Sequence, residues 1–181
     1  MRRIASFLVG LSLGAVLATR SAPVGAAHAI ALHGEPKYAR GFACFDHVNP
    51  AAPRGGRLRQ AMSGSFDSVN PFISLGTWAP VMSTIDTLLV SSEEEASVAY
   101  GLLAREVLIA DDGSHVDFEL DPAARFHDGS RVTPADVVCT FDVLRSRGHP
   151  RYRMRYASVS RAEPRDGGGC GFFSRATTLA G

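Results

Sequence analysis

The chain mixes stretches that have a clear spacing of apolar residues with stretches that have none. Residues 115–120 alternate strictly between polar and apolar side chains, which predicts a half-buried β-strand. Residues 57–62 follow a Gly-Gly pair and predict a second, shorter strand. Between Val81 and Leu89 the apolar residues share one helical stripe, which predicts a helix there. The pattern therefore predicts a fold that contains both strands and helices.

A helix over residues 134–147 is the clearest local prediction. Thr133 precedes it as a capping residue, Pro134 suits the first helical position, and Asp136 completes a capping box. Arginines near the end and Gly148 directly after it are typical of a helix C-terminus. We expect the helix to begin after Thr133 and to stop at Gly148.

Three further stretches show neither the two-residue alternation of a strand nor the 3.6-residue spacing of a helix. Residues 30–56 are rich in Gly, Pro and Ala and carry spaced aromatic residues, which predicts an extended arm held by those aromatics. Residues 66–72 contain Asn-Pro, which predicts a loop. The three glutamates at 93–95 predict a solvated loop rather than a metal or acid-base site, because adjacent side chains diverge around the backbone.

The first residues have the layout of a secretory signal peptide. A short positive start precedes an apolar run over residues 4–18, which is shorter than the roughly 20 residues of a membrane span. Ala27-His28-Ala29 offers a small-x-small cleavage pattern, with residues 25–27 as a second candidate. We predict a signal peptide over residues 1–29, cleavage after Ala29 and a periplasmic location. A twin-arginine signal is the weaker alternative.

Composition and charge narrow the function classes. The chain has 181 residues, 45% of them hydrophobic, which is one domain's worth of ordinary globular sequence. The formal charge is +1 and no basic run is present, so we expect no nucleic-acid partner. Removing the signal peptide takes away three of the 19 basic residues and none of the 18 acidic ones, which turns the balance slightly acidic.

The cysteines and histidines do not have the spacing of a metal site. Cys44, Cys139 and Cys170 are too far apart for a zinc or redox pattern, and an odd number allows at most one internal disulfide. We expect Cys44 and Cys139 to be buried as small apolar side chains. The histidines are scattered, so we predict no metal and no cofactor.

His127 and Asp128 are adjacent and do not predict a catalytic pair. Adjacent side chains rarely form the hydrogen bond of a triad, and no motif places a serine or cysteine nucleophile beside them. Asp128-Gly129 instead predicts a tight turn with glycine at the position that needs a positive φ. We therefore expect no enzyme activity, with a secreted hydrolase as the alternative.

Five motifs resemble one family in their order and spacing. Together they cover roughly residues 30–164. The motifs are residues 31–38 (ALHGEPKY), 45–56 (FDHVNPAAPRGG), 55–59 (GGRLR), 66–72 (FDSVNPF) and 124–138 (ARFHDGSRVTPADVV). They resemble the N-terminal part of the family 5 extracellular solute-binding proteins, and the first two are similar to the YejA-type oligopeptide receptors.

The resemblance implies a fold and a function. The fold is α/β, a partial lobe of the class II periplasmic binding protein type with a mixed β-sheet and flanking helices, truncated. The function is that of the periplasmic substrate-binding component of an ABC importer for oligopeptides. Its partners are an oligopeptide ligand and the inner-membrane permease and ATPase subunits, and the receptor is a monomer. A receptor for a nickel chelate, an opine, a sugar or a peptide antibiotic remains an alternative.

By position in the family, the loop after residues 70–72 should line the ligand cleft. It consists of Leu75, Gly76, Thr77 and Trp78. Gly76 would let a peptide backbone approach closely, and Trp78, the only tryptophan, would cover or stack on a ligand. A core position for Trp78 is the competing interpretation.

The chain departs from the family after residue 164. Residues 30–164 are interpreted as the N-terminal part of the solute-binding domain, and residues 165–181 as an aberrant Gly-rich tail without alternation. Because 18 of the 19 basic residues are arginine, a shifted reading frame of GC-rich DNA near residues 164–170 is our hypothesis. A flexible tail or a one-lobed interaction module without a transport function is the alternative.

Overall fold

A computed structural model describes residues 25–175 of the chain. Most of the predicted signal peptide and the last six residues of the predicted tail lie outside the described residues. Ala29 is the first residue of a strand, so cleavage after it would cut into the fold. In the described part, no helix is long and apolar enough to span a bilayer.

The first sheet has three antiparallel strands in the order β1-β3-β2. They are β1 (Ala29–Ala31), β2 (Leu89–Ser91) and β3 (Val98–Gly101). Its core contains Tyr38 and Tyr100, whose rings meet edge to face at 5.6 Å. Phe42 and Phe45 pack against the same two rings. The prediction of an arm held by its aromatic residues is confirmed.

The second sheet has four antiparallel strands in the order β4-β5-β7-β6. They are β4 (Ala104–Ile109), β5 (His115–Leu120), β6 (Val159–Arg165) and β7 (Gly169–Ser174). The alternation over 115–120 correctly predicted β5. The α/β fold class is confirmed, but all strand pairs within the two sheets are antiparallel rather than mixed.

Strand β7 corrects the interpretation of the Gly-rich segment. It pairs with β5 on one side and with β6 on the other, and Cys170 within it is fully buried. The expectation that no strand follows residue 164 is therefore wrong, and the domain boundary placed there falls inside β6. The sequence pattern did not predict this strand, because Gly169 and Gly171 carry no side chains and the polar-apolar alternation is therefore missing. The frameshift hypothesis stays a prediction for the genomic sequence.

Helix α1 (Pro134–Arg147) has the predicted boundaries and cap. The Thr133 side chain accepts a hydrogen bond from the Asp136 amide, and the Asp136 carboxylate accepts one from the Thr133 amide. Phe141 and Leu144 are buried on the face toward β6 and β7. A short helix α2 (Pro150–Arg155) follows directly.

Two predicted elements are absent. Residues 57–62 are exposed and form no strand. The segment 81–89 forms only a single 3₁₀ turn at Met82–Thr84 before β2 begins. β-Branched residues lower helix propensity there, and pairing of Leu89–Ser91 with β3 satisfies the backbone in another way.

Candidate functional site

The predicted site residues lie in a loop that closes on itself. The Asp67 amide donates to the Thr77 carbonyl at 2.9 Å, and the Asp67 carboxylate accepts from the Thr77 amide at 2.9 Å. The Ala79 amide donates to the Ser68 carbonyl at 2.7 Å. The two ends of the segment therefore run side by side. Residues 74–76 between them are exposed, whereas Pro71 is buried.

Within this loop the four predicted residues have different surroundings. Leu75 is 83% exposed and Trp78 is 37% exposed, so Trp78 is not a core residue. Gly76 has φ +90°, and a Cβ there would lie 2.6 Å from Asp67 Oδ1. This contact with Asp67 is a local reason for glycine at position 76. The role of residues 75–78 in ligand binding stays a prediction.

Residues 68–72 connect the loop to the helical part of the chain. The Asn70 carboxamide oxygen accepts from the Phe72 amide at 2.9 Å, as expected for a turn at Asn-Pro. The His149 amide donates to the Phe72 carbonyl at 3.0 Å, and the Phe72 ring packs on Tyr152 at 5.9 Å. The base of the loop is thus fixed at the start of α2.

An open groove, here called the apolar groove, lies beside the base of this loop and has a volume of about 1080 Å³. Its wall includes Phe72, Ile85, Leu88, Phe126, Phe141 and Tyr156. Residues 75–78 are not part of this wall. The sequence did not predict the groove, because its walls come from segments that are far apart along the chain.

The glutamates at 93–95 do more than form a solvated loop. Glu94 accepts hydrogen bonds from the Lys37 ammonium group and, at 2.9 Å, from the Tyr38 hydroxyl. Glu95 accepts from the Tyr100 hydroxyl and, at 2.9 Å, from the Lys37 amide. The Lys37 and Tyr38 bonds hold the pKa of Glu94 below its ordinary value. Two of the three glutamates therefore fasten the N-terminal arm to the small sheet.

The face of the large sheet opposite α1 is polar and aromatic. The Arg161 guanidinium lies 3.9 Å from the centre of the Phe173 ring, and that of Arg165 lies 4.9 Å from it. Arg165 also donates to Asp117 at 3.0 Å, across the position of Gly171. This face is a cation-π cluster with an ion pair, and its positive charges are already partnered.

His127 and Asp128 belong to a turn, as predicted. Asp128 accepts from the Ser130 amide at 2.8 Å and from the Ser130 hydroxyl at 2.6 Å, and these bonds lower the pKa of Asp128. Gly129 has φ +86°, and its amide donates to the Phe126 carbonyl. The carboxylate therefore stabilises the turn before α1 rather than orienting a histidine.

The expectation that Cys44 and Cys139 are buried is wrong for both residues. Cys139 is exposed on α1, Cys44 is half-buried, and Cys170 is the buried one. Burial raises the pKa of the Cys170 thiol to about 11, so the group is neutral at physiological pH. Within residues 25–175, no three His, Cys, Asp or Glu side chains are grouped to hold a metal ion.

Comparison with known proteins identifies sequence relatives. The peptidoglycan-binding protein YepA of Agrobacterium fabrum is 35% identical over 177 residues and matches 90% of this chain. The "Probable peptide-binding protein YejA" of the same bacterium is 44% identical over 131 residues, 72% of this chain. An uncharacterised YejA of Escherichia coli is 41% identical over 134 residues, 74% of this chain.

The matches cover only part of each relative. The chain spans 28%, 21% and 22% of the lengths of these three proteins. Two solved binding-protein structures are also similar over 48% of the chain. They are MoaA of A. tumefaciens with mannopinic acid, at 23% identity and a TM-score of 0.42, and NikZ of Campylobacter jejuni with Ni(L-His), at 18% and 0.41.

No family model matches the chain. The motifs of residues 30–164 and the identities of 41% and 44% to the YejA proteins agree with each other. They confirm the resemblance found in the sequence. Over about three quarters of its length, the chain is thus similar in sequence to YejA-type binding proteins.

Proposed function

We propose that the chain is part of the periplasmic substrate-binding component of an ABC importer that takes up oligopeptides. The main support for this proposal is the 44% identity over 131 residues to a relative named as a probable peptide-binding protein. Its partners would be an oligopeptide and the inner-membrane permease and ATPase subunits, and it would act as a monomer. Binding rather than catalysis is proposed, since none of these relatives is named as an enzyme.

The relatives' names support short peptides as the ligand class. One is a peptide-binding protein and another a peptidoglycan-binding protein. Peptidoglycan carries short peptides, so the two ligands share peptide chemistry. A peptide offers main-chain donors and acceptors to a cleft, and the Trp78 ring, which is 37% exposed, suits contact with an apolar side chain.

Because the chain spans at most 28% of the length of these three relatives, ligand capture would need the surfaces that the rest of a receptor supplies. We expect the 181-residue chain alone to bind short peptides weakly or not at all. Calorimetry with tri- and tetrapeptides should detect no binding tighter than about 1 µM. Tighter binding would overturn this expectation.

The function itself is tested on a full-length receptor. Genomic DNA from about codon 155 onward is translated in all three frames, and where one frame continues the receptor, that product is purified. We expect short peptides, free or carried on cell-wall fragments, to shift the fluorescence of Trp78, and Trp78→Phe to remove that component while binding is retained in calorimetry. Binding of only a nickel chelate, an opine or a sugar would contradict the peptide proposal.

A further inference from the structure

The residues just before β1 are part of the fold. Ala27 and Val107 exchange two backbone hydrogen bonds, each 2.8 Å long. The Gly101 amide donates to the His28 carbonyl at 2.9 Å, and His28 Nε2 lies 2.8 Å from the Tyr38 carbonyl oxygen. These bonds connect the start of the described chain to both sheets and to the arm.

Ala29 is equally integrated. It is 6% exposed, pairs with Tyr100 across the small sheet and belongs to the same core cluster as Tyr38. Cleavage after Ala29 would remove the Ala27 bridge, the His28 bonds and one buried core residue. Cleavage after Ala27 would still remove the bridge to Val107.

From these contacts we infer that the export signal is cut between Ala26 and Ala27, so that the mature chain begins at Ala27. Ala26 is exposed and supplies the small side chain before the bond, and Val24 is a compact apolar residue two positions earlier. Water adds across the peptide bond, with its hydroxyl on the Ala26 carbonyl carbon and its proton on the Ala27 nitrogen. The new amino group keeps a proton to donate to the Val107 carbonyl.

One existing contact would be lost on cleavage. Arg40 Nη2 donates to the Ala26 carbonyl at 2.8 Å, and this bond disappears with the leader. Arg40 keeps its ion pair with Glu106 at 2.5 Å. The cut therefore removes one exposed hydrogen bond and leaves the Ala27 bridge and the Ala29 core contacts in place.

The test is the N-terminal sequence of the exported product. The full 181-residue chain is expressed in a Gram-negative host, pulse-labelled, and recovered from the periplasm under denaturing conditions. We expect the sequence Ala-His-Ala-Ile. A product that begins at His28 or Ile30 would overturn the inference alone. An uncut precursor would overturn the export on which both the inference and the proposed function rest.

Two variants at adjacent positions distinguish the candidate cleavage sites after Ala26, Ala27 and Ala29. Ala26→Leu enlarges the residue before the inferred bond and should abolish the product that begins at residue 27. Ala27→Leu enlarges a residue that the later candidate sites need to be small, and processing at the inferred bond should be unchanged. Comparing chains that begin at Ala27 and at Ile30 gives a second readout, and we expect the shorter chain to unfold at a lower temperature. Equal unfolding temperatures would show that the contacts of residues 27–29 do not stabilise the fold, and would remove the structural ground for preferring the cut before Ala27.

Discussion

The sheet unit (residues 104–174) and the loop segment (residues 51–67) differ in how their apolar residues are used. In the sheet unit, Phe141 is 3% exposed and meets the rings of Phe172 and Tyr156 edge to face. In the loop segment every residue is exposed, including Leu58 at 83%. The sheet unit therefore has a core of its own, whereas the loop segment presents apolar side chains to solvent.

The exposed apolar side chains of the loop segment contribute little burial to the fold. Single apolar side chains at a surface are common in folded proteins. The three largest in the loop segment are Leu58, Met62 and Phe66. The stability of this chain should therefore depend on the sheet unit and hardly on the loop segment.

The largest expected difference comes from truncating one apolar residue in each region. Phe141→Ala should lower the free energy of unfolding by about 3–5 kcal/mol, because it leaves a cavity against Phe172. Leu58→Ala should change it by less than about 0.5 kcal/mol, since the side chain is solvated. Urea unfolding followed by circular dichroism measures both. Equal losses would show that the loop segment is packed.

A smaller effect is expected from adding a methyl group inside β7. A Cβ at Gly169 would lie 2.8 Å from the Phe118 carbonyl oxygen of the neighbouring strand, so Gly169→Ala must move backbone and should cost about 1–3 kcal/mol. At Gly171 the close atoms belong to the side chains of Asp117 and Arg165, which can move. Gly171→Ala should cost less in the same unfolding measurement. The reverse order would contradict the strand pairing described above.

Removing the cap of α1 should have a more modest effect. Thr133→Ala loses the bond to the Asp136 amide and should cost about 1 kcal/mol of unfolding free energy. Thr133→Ser keeps a hydroxyl at the same position and serves as the control. An alanine variant as stable as the serine variant would mean that the capping box does not stabilise the helix.

The smallest effect is a pH dependence of the arm. The folded pKa of Glu94 lies below its ordinary value, so its stabilisation is present above that ordinary value and is lost as the pH falls through the lowered one. The protection of residues 33–48 against hydrogen exchange, measured relative to the intrinsic exchange rate at each pH, should therefore fall in acid. Glu94→Gln should weaken this acid dependence, and Glu93→Gln should leave it intact. An unchanged profile in Glu94→Gln would remove Glu94 as the titrating group.

Sequence patterns predicted the elements whose stabilising interactions are local. The boundaries of β5 and α1 followed from alternation and from the Thr133–Asp136 cap. The helix expected over residues 81–89 was wrong. From Leu89 onward the chain pairs with β3, and the spacing of apolar side chains does not show that pairing. Strand β7 was missed because Gly169 and Gly171 carry no side chains, so the sequence shows no alternation there. The side chain of Arg165 occupies the space beside Gly171.

The candidate site was predictable only in part. Asn-Pro indicated the loop at 66–72, and the family resemblance pointed to residues 75–78. The contact between Asp67 and Gly76, and the groove beside Phe72, depend on residues brought together by the fold. No local spacing of residues signals such contacts.

Hydrogen exchange read by mass spectrometry on the 181-residue chain tests the central contrast most directly. We predict strong protection in β5, α1 and β7, because β7 is bonded on both sides, and almost none in residues 51–67. Exchange in residues 169–174 as fast as in residues 51–67 would contradict the account. The Gly-rich segment would then be a tail and not a strand of the sheet.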